Sequence, residues 1–334
     1  MNLAKRFHEH LKKRTRVSKK ISILILIVFN TMSLYACDFC NCYLGLNPQY
    51  KKNLIGLRYH YKSFNGTHHD LAEFPDAGLS KKDFWEKRTT TELHGQWYPV
   101  QKLQVIYSVP FMRNKEGMSA AGKEAINGHH HGSNGSDAAV SGFGDPVVIA
   151  HYQVFNKISM DSNKFSQRLF AGGGVKLPLG KYKLGTHADP MERVHQPGSG
   201  SYDFIVSASY LGKINKAGFN VNLNHLFATT NNEYFRFGNR LNANATVYYQ
   251  YDIKKSKLYP SIGAYLEKAA RDLNDNNYMS NSGGSIVYGH AGLDLYFKKL
   301  LLSASFQLPV HQTLNNPQPG LNYRIITGIS YAIN

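Results

Sequence analysis

The chain has 334 residues, with 39 Lys+Arg against 22 Asp+Glu and a formal net charge of +17. A mean hydropathy of −0.38 excludes a bundle of membrane-spanning helices, and 42% hydrophobic with 18% charged residues excludes disorder. Eight of the basic residues and one acid fall within residues 1–36, so the remainder carries only +10 and no concentrated nucleic-acid footprint.

Residues 1–36 read as a secretory signal. A basic stretch ending at Lys20 precedes the apolar run Ile21–Phe29, and Ala36 is a small residue at the expected cleavage site. The run is half the roughly 20 residues a spanning helix needs, which argues against a retained anchor. Cleavage after Ala36 makes Cys37 the mature N-terminus. Leu34-Tyr35-Ala36-Cys37 also resembles a lipobox, which would lipidate Cys37.

Residues 37–53 form a short periplasmic segment carrying all three cysteines, Cys37, Cys40 and Cys42. An exported chain with no other cysteine has no disulfide framework, so the cluster acts locally. Three soft ligands at this spacing suit Cu(I) or Zn(II). An acyl anchor at Cys37 and one local disulfide are the alternatives.

From residue 54 to 334 the pattern is strict alternation, sharpest in Phe219-Asn-Val-Asn-Leu-Asn224 and Leu241-Asn-Ala-Asn-Ala245. Side chains of a strand alternate faces, so each segment has one apolar and one polar face. Twelve strands are expected, near 54–64, 89–98, 102–112, 145–155, 167–177, 202–212, 217–229, 238–252, 257–268, 285–297, 299–309 and 322–333. Connections after odd strands are mostly long and polar, and those after even strands mostly short. This asymmetry predicts an all-β transmembrane barrel, antiparallel and up-and-down, in the bacterial outer membrane, with short periplasmic turns and long external loops.

A soluble sandwich or lipocalin-like barrel would share the alternation. Twelve strands, however, exceed what the apolar interior of a small barrel fills. The polar faces are also rich in uncharged Asn, Gln, Ser and Tyr. Aromatics such as Trp97, Tyr107, Phe111, Tyr248, Tyr249, Tyr296, Phe297 and Tyr331 gather near segment ends, as an interfacial girdle requires. With the apolar faces on lipid, the lumen receives Arg58, His60, Glu92, His94, His151, Arg168, Asn222, Asn244, Glu267, His290, Asp294 and Arg324. These lumen residues carry charges of both signs. His225 falls on an apolar face and reads as interfacial.

His68 and His69 sit in the first long loop, His129, His130 and His131 in the second, and His187 and His195 in the third. Convergence of three external loops would make a metal-capturing rim, although histidines are also ordinary loop residues. No G-x-S-x-G, H-E-x-x-H or C-x-x-C-H motif is present, and the chain reads as no enzyme. The remaining basic residues are dispersed over turns, as in Lys254-Lys255 and Lys298-Lys299, and suit anionic lipid headgroups.

Two stretches carry a resemblance. Gly142-Phe-Gly-Asp145-Pro-Val-Val-Ile-Ala150 and Gly172-Gly-Gly-Val-Lys-Leu-Pro178-Leu-Gly180 are similar to segments of the transporter-like barrels named for phenol-degradation operons, relatives of long-chain fatty-acid channels. The opening Cys37–Cys42, followed by Gly56-Leu-Arg58-Tyr, looks like a Bacteroidetes-type branch of such barrels, with Asn41 where Gly is usual. The resemblance implies passage of a small solute across the outer membrane. It names neither the solute nor an oligomeric state.

Overall fold

The computed structural model describes residues 52–65, 84–119, 138–159, 161–182, 195–315 and 318–333. The expected signal, the cysteine segment apart from Lys52 and Asn53, His68, His69, His129, His130, His131 and His187 lie outside the described residues.

The alternating segments form strands, in chain order β1 (Leu54–Asn65), β2 (Phe84–Val100), β3 (Leu103–Met118), β4 (Ala138–Phe143), β5 (Val147–Lys157) and β6 (Ser166–Lys176). They continue as β7 (Asp203–Ile214), β8 (Ala217–Phe227), β9 (Phe235–Arg236), β10 (Arg240–Tyr249), β11 (Tyr251–Ile253) and β12 (Ser256–Ala269). The last are β13 (Leu273–Asn274), β14 (Asn277–Tyr278), β15 (Gly284–Phe297), β16 (Leu300–Leu314) and β17 (Gly320–Ala332). Sequential neighbours pair antiparallel, and β1 pairs with β17, Leu54 opposite Ala332, so the sheet closes. β4 and β5 are one stave broken at Gly144-Asp145-Pro146, and β10 and β11 another broken at Gln250. The result is a closed antiparallel barrel of twelve staves, as the alternation predicts.

Two-residue turns at 101–102, 215–216, 254–255 and 298–299 join staves at one end. Asn215, Lys254 and Lys298 hold left-handed φ values of 51°, 52° and 53° there. Such backbone suits the right-handed strand twist in tight hairpins.

The staves next to the first long connection are longer than the sequence reading. β2 begins at Phe84 rather than 89, and β3 runs to Met118 rather than 112. The charges of Glu86-Lys87-Arg88 read as loop. In the barrel Glu86 and Arg88 are buried and paired with each other, while Lys87 turns outward over the Trp85 ring at 4.8 Å.

The outward face is an apolar belt including exposed Leu57, Leu93, Val221, Leu223, Val247, Leu293, Leu302 and Ile329. On β3 the belt runs from Leu103 to Phe111 and ends at outward, exposed Arg113 and Lys115. That apolar stretch has the length that crosses a bilayer at a tilt, about 9–11 residues. Trp97, Tyr249, Phe297 and Tyr331 are exposed near the two-residue turns. Tyr248 and Tyr296, expected in the same girdle, instead face inward. They pack with Tyr259 at centroid distances of 5.9 and 5.3 Å and against Leu301. Neighbours along a strand point to opposite faces, so only one of each aromatic pair can meet lipid. His225 is outward and half-buried, its ring 4.3 Å from that of Phe227.

Candidate solute path through the barrel

The inward faces of β1, β2, β12, β15, β16 and β17 form a wall of paired charges. Pairing β1 with β2 sets Arg58 opposite Glu92, and Arg58 Nη1 lies 3.0 Å from Glu92 Oε1. Ser108 Oγ donates to Glu92 Oε2 at 3.0 Å, and His60 Nε2 lies 3.6 Å from Oε1. Arg58 Nη2 reaches His94 Nδ1 at 3.1 Å, and His94 Nε2 is 3.4 Å from Ser330 Oγ. Asp294 is buried on the same wall, in the field of Arg58.

A second knot centres on Arg324, which is 2% exposed. Its Nη1 donates to Glu267 Oε1 and its Nε to Gln307 Oε1, both at 2.6 Å. Tyr288 OH donates to Glu267 Oε2 at 2.6 Å. The guanidinium lies between the rings of Tyr265 and Tyr288, 4.9 and 4.4 Å from their centroids. A buried charge persists only when paired and hydrogen-bonded, and aromatic faces add a favourable quadrupole.

The middle of the facing wall, on β7, β8 and β10, is built from uncharged groups, with Asp203 and Arg240 buried at its long-loop end. Register sets Asn242 opposite Asn224, Asn244 opposite Asn222 and Thr246 opposite Asn220, giving a two-strand array of buried amides and one hydroxyl. Ser207 lies opposite Asn224 on the next strand. Its Oγ donates to Asn224 Oδ1 at 2.5 Å and contacts His151 Nε2 at 2.7 Å. His290 Nε2 sits 3.2 Å from Asn244 Oδ1 and 3.1 Å from Thr246 Oγ1. Arg168 is half-buried near the short-turn end, its Nε donating to Asn156 Oδ1 at 3.1 Å.

At the long-loop end the two glycine-rich stretches meet. Asp145 Oδ1 accepts the Gly180 N–H at 2.9 Å, and Oδ2 accepts the Ser199 N–H at 2.9 Å and its hydroxyl at 2.6 Å. Lys176 Nζ joins Asp145 at 3.3 Å to Asp203 at 2.5 Å, and also donates to Ser199 Oγ. Gly180 and Gly198 pack backbone to backbone. A Cβ on Gly180 would sit 2.7 Å from the Gly198 Cα and 2.7 Å from Asp145 Oδ1. The same loop brings His195 inward, with Nε2 3.7 Å from Glu86 and 3.5 Å from Glu116, and its carbonyl accepts from Asn114 at 2.9 Å.

A second external element is the three-stranded sheet of β9, β13 and β14. Phe235 and Phe237 descend from it and pack on inward-facing Ile149, Ile205 and Leu226, flanked by Ile106 and Val147. The element is tied at Asp272, whose Oδ1 accepts the Gly238 N–H at 2.7 Å while its own N–H donates to Ser282 Oγ at 2.8 Å. Burial pushes the Asp272 carboxyl up to about 6, against the opposing pull of Arg240 and of the Gly238 N–H.

Arg58, Glu92 and His94 are thus brought together with His60, as are Glu267 and Arg324, and Asn244 with His290. His151 and Asn222 lie on the amide wall. Among the described residues no group of three or more His, Cys, Asp or Glu is placed to hold a metal. The sequence reading missed the apolar stretch of the lumen. The signal was present in Val147-Val148-Ile149, where consecutive apolar residues put aliphatic side chains on both faces.

No family model matches the sequence, and no curated protein matches it. Solved structures do match. The outer-membrane channel from Pseudomonas putida F1 aligns over 89% of this chain and 100% of its own, with a TM-score of 0.56 and 13% identity. The NanC porin covers 84% of this chain and 100% of its own at 9% identity, with a TM-score of 0.40. The translocator domain of the autotransporter NalP from Neisseria meningitidis covers 86% of this chain and 91% of its own at 11% identity, with a TM-score of 0.37. At 13% identity the likeness to the Pseudomonas channel is one of fold: this chain has the architecture of an outer-membrane barrel.

Proposed function

We propose that the protein is an outer-membrane channel for a small solute. One observation carries this reading: a closed barrel with an apolar belt outside and buried polar side chains on the inward faces of its staves. Polar groups directed into the interior of a membrane barrel characterise a conduit or a binding cavity.

Transition-metal handling is the finer part of the proposal. Cys37, Cys40 and Cys42 offer a soft donor set for copper or zinc ions, and His68, His69, His129, His130 and His131 offer imidazoles on external loops. Metal analysis of the detergent-folded chain, with and without residues 37–42, tests this directly. Stoichiometric copper or zinc that disappears with the segment supports it; equal metal content in both overturns it.

A second reading, a non-transporting binding or structural barrel, is favoured by the packing at both ends of the lumen. Phe235 and Phe237 fill one end, and Tyr248, Tyr259 and Tyr296 narrow the other. Current recording in planar bilayers separates the two: stepwise conductance belongs to the channel, and a silent membrane at every voltage belongs to the closed barrel.

A further inference from the structure

The polar groups of the lumen fall into two populations. Glu92, Glu267, Asp145 and Asp203 are each held by a cation, Arg58, Arg324 or Lys176, with Lys176 shared between the two aspartates. The charged wall also keeps buried atoms without a hydrogen-bond partner among the described residues, His60 Nδ1, Gln307 Nε2 and Arg324 Nη2, whereas the amide array holds such atoms on uncharged side chains alone. Nδ2 of Asn222, Nδ2 of Asn242, Oδ1 of Asn220 and Nδ1 of His151 have no hydrogen-bond partner among the described residues. All four side chains are buried, between 0% and 4% exposed. A buried amide without a partner costs stability, and natural proteins rarely keep several side by side without a use.

We propose that Asn220, Asn222, Asn242 and His151 form a binding site for a neutral, polyhydroxylated solute of saccharide type; the proposal rests on the channel reading above. The chemistry follows from what the wall presents. Amide N–H groups, an amide carbonyl and an imidazole nitrogen offer donors and acceptors without formal charge. A hydroxyl both donates and accepts, so a row of hydroxyls matches such a mixed array. An ion would shed its hydration there with no counter-charge to replace it. The positions on β8 and β10 repeat at about 4.8 Å across strands and about 6.7 Å along one. One or two pyranose rings carry their hydroxyls on that scale. Two residues beyond Asn224 and Ser207 stand Leu226 and Ile205, on which Phe235 and Phe237 pack. That cluster is closed, with Phe235 and Phe237 covering both side chains, and it bounds the amide array at this end.

The test uses radiolabelled maltose in equilibrium dialysis against the full chain folded in detergent, alongside maltose titration of its KCl current in planar bilayers. The proposal expects saturable binding, saturable reduction of current, and about tenfold weaker affinity in the Asn222→Leu/Asn242→Leu variant, the effect of two lost hydrogen-bonding groups. The variant should keep the gel mobility of a folded barrel. If it fails to fold, Asn222→Ser/Asn242→Ser, which shortens the amides but stays polar, is expected to weaken binding about threefold. Non-saturating reduction matched by a polyethylene glycol of equal size overturns the site, as does unchanged affinity in the variants. Glucuronate binding as tightly as maltose overturns the neutral-solute class. Saturable maltose binding by a barrel that passes no current keeps the site and refutes the channel; current without saturable binding does the opposite.

Discussion

The two walls of the lumen solve the problem of buried polarity in opposite ways. The wall around Arg58–Glu92 and Arg324–Glu267 buries ions and pairs them with one another, at 3.0 and 2.6 Å. The wall of Asn220, Asn222, Asn242 and Asn244 places neutral amides there and leaves several without partners. A paired wall is a fastening, because removing either partner strands the other. A neutral wall strands no charge when a member is removed, so it fastens little and has bonding capacity to offer a solute. Buried polarity in one barrel therefore does two jobs, and mutation should tell them apart.

The sharpest way to break this contrast is on the charged side. Arg324→Met leaves Glu267 buried without its cation and is expected to cost about 3–5 kcal/mol, read from urea unfolding of the barrel in lipid vesicles. The double variant Arg324→Met/Glu267→Gln should recover most of that loss. If the double variant is as unstable as the single, the pair is not the fastening described. Phe237→Ala should cost up to about 3 kcal/mol locally, because a ring is removed from the cluster with Ile149, Ile205 and Leu226. Its measurable effect is more frequent current steps in bilayers.

Asp145→Ala removes the acceptor for the N–H groups of Gly180 and Ser199. Their hydrogen exchange should accelerate about 10- to 100-fold, equivalent to roughly 1–3 kcal/mol of local opening, while global unfolding changes little. On the amide wall, Asn222→Leu should alter stability by less than about 1 kcal/mol in either direction, since it removes a buried group that lacked a partner. A loss as large as that of Arg324→Met would erase the distinction between the walls.

The smallest effect concerns Asp272. Its folded-state pKa of about 6 stands above the ordinary 3.8, so the folded loop holds the proton more tightly than the unfolded loop. The cost of ionising it is absent below about pH 4, grows between the two pKa values and is complete above about 6. Gly238 N–H protection, corrected for intrinsic exchange, should therefore be greater at pH 4.5 than at pH 7. Asp272→Asn should abolish that difference.

Much of this barrel is legible in the sequence because the period of a strand is two and lipid enforces it. Asn220, Asn222 and Asn224 alternating with Phe219, Val221 and Leu223 leave only one orientation in a membrane. Legibility ends where charge and aromatic residues are ambiguous. Glu86 and Arg88 look like loop until their mutual pairing is seen, and Tyr248 and Tyr296 look interfacial until strand parity turns them inward. The partnering of Arg324 with Glu267, 57 residues away in sequence, and the descent of Phe235 and Phe237 into the lumen are products of barrel closure. No local pattern encodes them. The glycine-rich stretches at Gly142–Asp145 and Gly172–Gly180 are visible as motifs, but their shared purpose, a loop fastened on the Asp145 carboxylate, emerges only when the staves are adjacent.

The central claim is a small-solute channel whose lumen carries charges of both signs, most of them paired. Single-channel recording of the folded chain in a planar bilayer under a KCl gradient addresses it most directly. A lining of both signs predicts discrete current steps with weak ion selectivity, the reversal potential staying far from the limit for either K⁺ or Cl⁻. A membrane silent at all voltages would contradict the channel, and a reversal potential near the limit for K⁺ or Cl⁻ would contradict the mixed-sign lining.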